Sequence, residues 1–380
     1  MLGSCFIGGK IYYLGIQYTN IEAEREVSIL PNKKISQYTI MYEDNVVLTF
    51  DRKTDDVVIH NNSLLPFWLR GKDKARPTAV LEWLIYRVDN SMRTYMNMVY
   101  VAREVGRDRD KVIADSSGVS FTDNFWIQTT DTTWTWSELV RLRDENRELS
   151  LVALTGKVDT SKDLLSGFTS LFTTKGYFPK AIIGGHLYKL KNDALLEYPA
   201  YLIGNHLGVS VAECSIEDNY VRIKLFTSEN VSLVHASELK HYFDTQDEIY
   251  NAMIEIGRHD IKEQLQRMYI FNYIIGNPDL HDENTGLLYD ARTFDFASAS
   301  PCYDHNIAFQ EGFGGLSRAT KKHSSSLPLD DWAKMFAKNH PDIVSKLNSL
   351  PYEDIGVYLS ARQLDELNER VQRVVCWGAA

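Results

Sequence analysis

The sequence predicts a mixed α+β chain with a small α+β module in front, then a strand-rich section, then a helical one. Three observations carry that prediction. The 380 residues are 44% hydrophobic and 24% charged, a balance that buries a sizeable core and fits neither a disordered nor a membrane chain. Glycine becomes frequent between Gly167 and Gly208, where loops, strands and a helix alternate. Beyond Asp247 the apolar spacing turns helical. These shifts divide the chain into residues 1–150, 151–245 and 246–380.

The elements follow in order. Val46–Phe50 and Val57–His60 read as strands around the polar turn Asp51–Asp55. Residues 79–103 carry Val80, Trp83, Leu84 and Val88 at helical spacing, and a second helix is expected from an N-cap at Ser137. Gly176–Lys180 is a loop. Ala181–Ile183 and His186–Leu190 form a hairpin around Gly184 and Gly185, which supply the positive φ of a tight turn. Leu195–Leu207 is a helix closed by Gly208, and Val221–Phe226 is a strand. Ile261–Ile275 is apolar on most faces near its end, as in a buried helix, and Gly276 stops it. A short strand at Gly286–Tyr289 follows, then helices near Asp330–Phe336 and Ala361–Trp377.

Composition narrows the function classes. The formal net charge is −10, which argues against coating nucleic acid, where phosphate neutralisation dominates affinity. Cys5, Cys214, Cys302 and Cys376 lie far apart, so neither a zinc site nor a disulfide framework is expected. No basic start leads into a long apolar core, and no run reaches the ~18 apolar residues of a membrane span. The expectation is a soluble, cytoplasmic protein with no membrane contact and no direct nucleic-acid binding.

The strongest local signal is Gly276-Asn277-Pro278-Asp279-Leu280-His281-Asp282-Glu283-Asn284. Asp279 and Asn284 have the spacing of a kinase catalytic loop, in which Asp orients the attacking hydroxyl and Asn binds metal. Asp56 and Asn61 repeat the spacing but follow no buried helix, so we read them as a chance match. Asp304 lies 25 residues after Asp279, at a station comparable to the kinase Mg²⁺ ligand. Taken alone it reads more readily as a turn-capping aspartate. Lys189, within an apolar strand pattern, could reach nucleotide phosphates or simply face solvent, and Lys191 shares its face by alternation. Glu197 opens a helix, where it either complements the dipole or pairs with Lys189. Gly176 and Lys180 form a weak candidate phosphate loop. Loop glycine, strand lysine, helix glutamate, Asp-x-x-x-x-Asn and a later Asp stand in the order of a kinase core, and strands before helices is the order of a protein-kinase-like bilobal fold.

At these residues the chain resembles the HipA-type serine/threonine kinase family, over roughly residues 165–310. The family's G-N-x-D-x-H-x-x-N loop falls on Gly276, Asn277, Asp279, His281 and Asn284, and its metal Asp on Asp304 after Tyr303. Its strand Lys falls on Lys189, its Glu helix on Glu197, Leu207 and Gly208, and its phosphate loop on Gly176 and Lys180. The stretch Gly118–Ile127 resembles the front part of HipA-domain proteins of Gram-positive bacteria. The resemblance implies ATP and Mg²⁺ as cofactors. It gives Asp279, Lys189 and Glu197 catalytic roles, Gly176, Lys180 and Lys189 nucleotide contacts, and Asn284 and Asp304 the metal. It implies a protein substrate and a small DNA-binding antitoxin as partner. His281 is expected to support the loop rather than move protons. Bulky Tyr177 and Phe178 depart from the family's phosphate loop, which keeps a nucleotide-binding pseudokinase or toxin–antitoxin scaffold as the alternative.

Overall fold

The computed structural model describes residues 5–7, 10–12, 35–71, 75–88, 93–130, 132–142, 147–165, 170–243, 253, 258–309 and 328–379. Gly167 and Asp247, which mark the composition shifts, lie outside them. The chain divides into two units, Met1–Lys34 and Ile35–Ala380. In the first, β1 (Cys5–Ile7) pairs antiparallel with β2 (Lys10–Tyr12).

The second unit is mixed α+β. It opens with β3 (Gln37–Tyr42), β4 (Asn45–Asp51) and β5 (Asp56–Ile59), joined later by β6 (Phe125–Thr129) in the antiparallel order β5-β4-β3-β6. The expected polar turn is present: the Asp51 carboxylate accepts the Lys53 and Thr54 amides at 2.7 and 3.3 Å, a local bond that aspartate side chains favour in turns. Asp56 and Asn61 stay apart from the candidate chemistry, since Asn61 caps a short 3-10 turn through the Ser63 amide.

The helices of the front module differ from expectation in two places. The helix-spaced run 79–103 contains two helices, α1 (Pro77–Val88) and α2 (Met96–Ala102). Tyr95 takes φ +66 before α2, a left-handed backbone that a continuous helix cannot hold. α3 (Arg109–Ser116) follows, then α4 (Trp136–Leu142) and α5 (Arg147–Thr155). Thr135, not Ser137, caps α4. Its hydroxyl accepts the Glu138 amide at 3.4 Å while Glu138 accepts the Thr135 amide at 2.8 Å, a reciprocal capping box.

The next sheet holds β7 (Lys180–Ile183), β8 (His186–Leu190), β9 (Cys214–Glu217) and β10 (Tyr220–Lys224) in the order β7-β8-β10-β9. Between β8 and β9 come a short α6 (Lys191–Ala194) and α7 (Glu197–Leu207), the latter closed by Gly208 as expected. A third sheet joins β11 (Val231–His235), β12 (Gly286–Asp290) and β13 (Phe296–Ala299). Helices dominate the rest: α8 (Ala236–Phe243), α9 (His259–Ile274), α10 (Leu329–Ala337), α11 (Pro341–Lys346), α12 (Tyr352–Gly356) and α13 (Ala361–Ala379). Tyr38 and Ile40 of β3, Phe271 of α9 and Val374 of α13 belong to one apolar core. No helix among the described residues is long and apolar enough to cross a membrane.

Candidate functional site

α9 delivers the Asp279 loop. Its buried face includes Leu265, Ile270, Phe271 and Ile274, so the helix end is fixed by packing. Gly276 follows with φ +59, and a side chain there would meet the Arg370 guanidinium at under 3.0 Å. Arg370, fully buried on α13, donates to the Ile274 carbonyl at 3.0 Å, placing a cation at a helix C-terminus where the dipole favours it. Asn277 shapes the loop: its amide nitrogen donates to Asn272 at 2.8 Å and its oxygen accepts the Asp279 amide at 3.0 Å. The Asn284 side chain donates to the Asp279 carbonyl at 3.0 Å and its carboxylate at 3.3 Å. Asp279 and Asn284 thus meet directly. His281 accepts the Glu283 amide at 3.1 Å and brings its Nε2 to 3.6 Å from Asp279. Burial raises the Asp279 pKa above its usual range, with His281 opposing and the Asp304 charge adding to it.

The structure brings Lys189, Glu197 and Asp304 together. Lys189 Nζ lies 2.6 Å from Glu197 Oε1 and 2.6 Å from Asp304 Oδ1. It is 1% exposed, so it is not the solvent-facing strand residue. Lys191 is no longer a rival, because β8 ends at Leu190 and Lys191 opens α6, where strand alternation does not apply. Glu197 also accepts the His305 amide at 2.9 Å. Burial alone would raise its pKa, yet Lys189, helped by His305, holds it down at about 2. Burial likewise opposes the Asp304 charge, and Lys189 and Lys180 keep its pKa below the carboxylate range. Asp304 takes φ +63, a left-handed backbone uncommon outside glycine and enriched in strained functional positions. A bridge between Val211 and Cys302 ties the segment after α7 to the one before Asp304.

Lys180 is the first residue of β7 and pairs directly with Lys189 of β8. Opposed residues share a face, so two lysines stand side by side, which is unfavourable unless anions attend them. Lys189 has two carboxylates; among the described residues Lys180 has none within ion-pair distance. Burial pushes the Lys180 pKa down to about 8. Gly176 arches over it with φ +110, and a Cβ there would sit 2.3 Å from Lys180 Nζ. Gly176, Lys180, Lys189, Asp279, Asn284 and Asp304 all line one cleft of about 440 Å³. Glu197 stands behind it, reaching the cleft only through Lys189.

The cleft has a second polar end that sequence reasoning missed. Tyr86 of α1 donates to the Glu283 carboxylate at 2.9 Å, and Tyr303 donates to the Glu283 carbonyl at 2.8 Å. Glu238 of α8 lines the same end, its pKa pushed up to about 7 by burial and next by Asp123. These groups come from five separate segments, so no spacing announces them. Glu283 and Tyr303 were within reach of the motifs, as the neighbours of Asn284 and Asp304.

A family model described as the HipA-like C-terminal domain matches residues 173–374. The chain belongs to the HipA-like family. That match takes in every predicted site residue, from Gly176 to Asp304. Among solved structures, HipA from Shewanella oneidensis, in a toxin–antitoxin complex with HipB and operator DNA, is 12% identical with a TM-score of 0.48, covering 90% of this chain and 96% of that one. The Helicobacter pylori proinflammatory kinase CtkA is 16% identical with a TM-score of 0.36, covering 51% of this chain and 88% of that one. No curated protein matches the chain significantly.

Proposed function

We propose that the protein is an ATP- and Mg²⁺-dependent serine/threonine protein kinase of the HipA type with a bilobal kinase-like fold. In this reading residues 151–245 form the kinase N-lobe, 246–380 the helical C-lobe, and 1–150 the accessory module in front. The observation that carries it is the double ion pair of Lys189 with Glu197 and Asp304, beside a cleft that Asp279 and Asn284 also line. Phosphoryl transfer needs mainly positioning and charge neutralisation, and this set supplies both.

The residues fit Mg²⁺–ATP. Ile182, Leu187, Ile223 and Leu225 offer an apolar wall for a base, while Lys180 and Lys189 face the same cleft. Among the described residues no three His, Cys, Asp or Glu side chains gather to hold a metal on their own. Asn284 and Asp304 would therefore hold Mg²⁺ jointly with nucleotide phosphates, through the hard oxygen atoms it prefers. Lys189 donates to Asp304 Oδ1, so Oδ2 would be the oxygen offered to the metal. Bound Mg²⁺–ATP would supply the transferable phosphoryl group and neutralise its charge. Glu197 fixes the Lys189 ammonium, Lys180 adds a second cation, and Asp279 orients the acceptor hydroxyl and takes its proton. A protein substrate in the cytoplasm and a small DNA-binding antitoxin partner belong to this proposal on family membership alone.

Thermal stabilisation by ATP tests the metal assignment, since a ligand that binds only the native state raises its stability. It should depend on Mg²⁺ in the wild type. Asp304→Asn should remove most of the Mg²⁺-dependent part and Asn284→Ala less of it. Equal Mg²⁺ dependence in wild type and Asp304→Asn would overturn the assignment.

A further inference from the structure

We propose that Arg93 is a positioning residue that holds the phosphate-covering loop over the nucleotide, acting from the module in front of the family-matched region. The proposal rests on reading Gly176 and Lys180 as the phosphate-holding end of that loop. Arg93 lies between α1 and α2 and is 3% exposed. Its guanidinium forks onto two loop carbonyls, with Nη1 donating to Thr174 at 2.6 Å and Nη2 to Leu171 at 2.8 Å. The next residue adds a third tie, from the Thr94 amide to the Tyr177 carbonyl at 2.8 Å. Thr173 Oγ1 adds a fourth, donating to the Val119 carbonyl at 2.7 Å. The segment 171–177 is thus held from residues 93–119, all outside the match at 173–374.

A structural anchor would serve any loop. This one is distinguished by where it acts and by its charge. The carbonyls it holds belong to the segment that runs straight into Gly176 and Lys180. Among the described residues no carboxylate pairs with Arg93 within ion-pair distance, and its charge adds, behind burial and Lys189, to the lowering of the Lys180 pKa. Arginine suits the task because its planar fork meets two acceptors in fixed geometry, which a lysine ammonium does not.

The test is isothermal titration of the full chain with Mg²⁺–ATP and, separately, with adenosine, for wild type, Arg93→Ala and Arg93→Lys. Adenosine lacks the phosphates, so a loosened loop should not affect it. Arg93→Ala should weaken Mg²⁺–ATP about tenfold or more, which is about 1.4 kcal/mol, and leave adenosine within about twofold. Arg93→Lys, which keeps the charge without the fork, should fall between. If Arg93→Ala does not fold, Arg93→Lys decides the matter by the same contrast. Parallel weakening of both ligands, or no change in either, overturns the proposal. Wild type that binds no Mg²⁺–ATP overturns the phosphate-site reading itself. Wild type that binds it, with unaltered variants, overturns only the role of Arg93.

Discussion

Lys180 and Lys189 stand opposite one another across two paired strands, both buried, and of the two only Lys189 has carboxylates within ion-pair distance among the described residues. An arrangement of this kind is costly in an empty protein and favourable once an anion arrives. It ties the stability of the fold to the occupancy of the cleft.

Replacing Lys180 should therefore separate stability from function. Lys180→Met should stabilise the nucleotide-free protein at pH 7 by on the order of 1–3 kcal/mol, because it removes a buried charge that Asp304 and Glu197 offset only in part. The same variant should bind Mg²⁺–ATP more weakly. Denaturant titration and calorimetry check the two halves.

The Lys180 pKa predicts a pH dependence. Its value falls from 10.5 to about 8 on folding. Between those values the unfolded chain holds the proton more tightly, so nucleotide-free stability rises with pH across that window. Affinity for Mg²⁺–ATP runs the other way, falling above about pH 8 as the ammonium loses its proton. Both trends should vanish in Lys180→Met; their persistence would assign them to another group.

Lys189→Ala should cost ~3–5 kcal/mol of stability, since it strands the buried carboxylates of Glu197 and Asp304 without their cation. Lys191→Ala, at the start of α6, should stay within ~0.5 kcal/mol, as surface changes usually do. Chemical denaturation of the two variants checks the contrast, and comparable losses would refute it.

Gly176→Ala should weaken Mg²⁺–ATP binding. The φ of +110 and the approach of Lys180 Nζ both exclude a Cβ, so the loop must move or Lys180 must swing aside. A left-handed backbone of this kind costs ~1–3 kcal/mol for a non-glycine residue. Nucleotide titration with a melting curve separates the binding loss from the strain.

The elements around the cleft were legible because each has a local cause. Paired glycines mark the β7–β8 turn, Gly208 ends α7, and the apolar run of α9 ends at Gly276. The Asp279 loop was legible because Asn277, Asp279 and Asn284 bond within one short segment. Periodicity could not choose between Lys189 and Lys191, since alternation assumes a strand that in fact stops at Leu190, whereas the apolar flank Leu187-Tyr188 and the family's strand lysine pointed to Lys189. The break between α1 and α2 depends on the backbone at Tyr95, which apolar spacing does not encode. Thr135 and Glu138 were readable as a capping box, but the apolar run after Ser137 drew the boundary too late. The Arg93 ties and the Tyr86–Glu283 bond join segments about 80 and 200 residues apart, and only the folded chain brings them together.

Asp279 is the proposed catalytic group for phosphoryl transfer from Mg²⁺–ATP bound in this cleft. The most direct measurement is transfer of label from γ-labelled ATP to protein in a cell lysate, with and without Mg²⁺, comparing wild type with Asp279→Asn. Nucleotide binding is measured on the same preparations. Mg²⁺-dependent labelling by the wild type is expected, with a loss of about a hundredfold or more in Asp279→Asn, the range for removing a positioned general base. Mg²⁺–ATP affinity should be nearly unchanged. Wild-type labelling that survives intact in Asp279→Asn, or a wild type that binds Mg²⁺–ATP and transfers nothing, would contradict it.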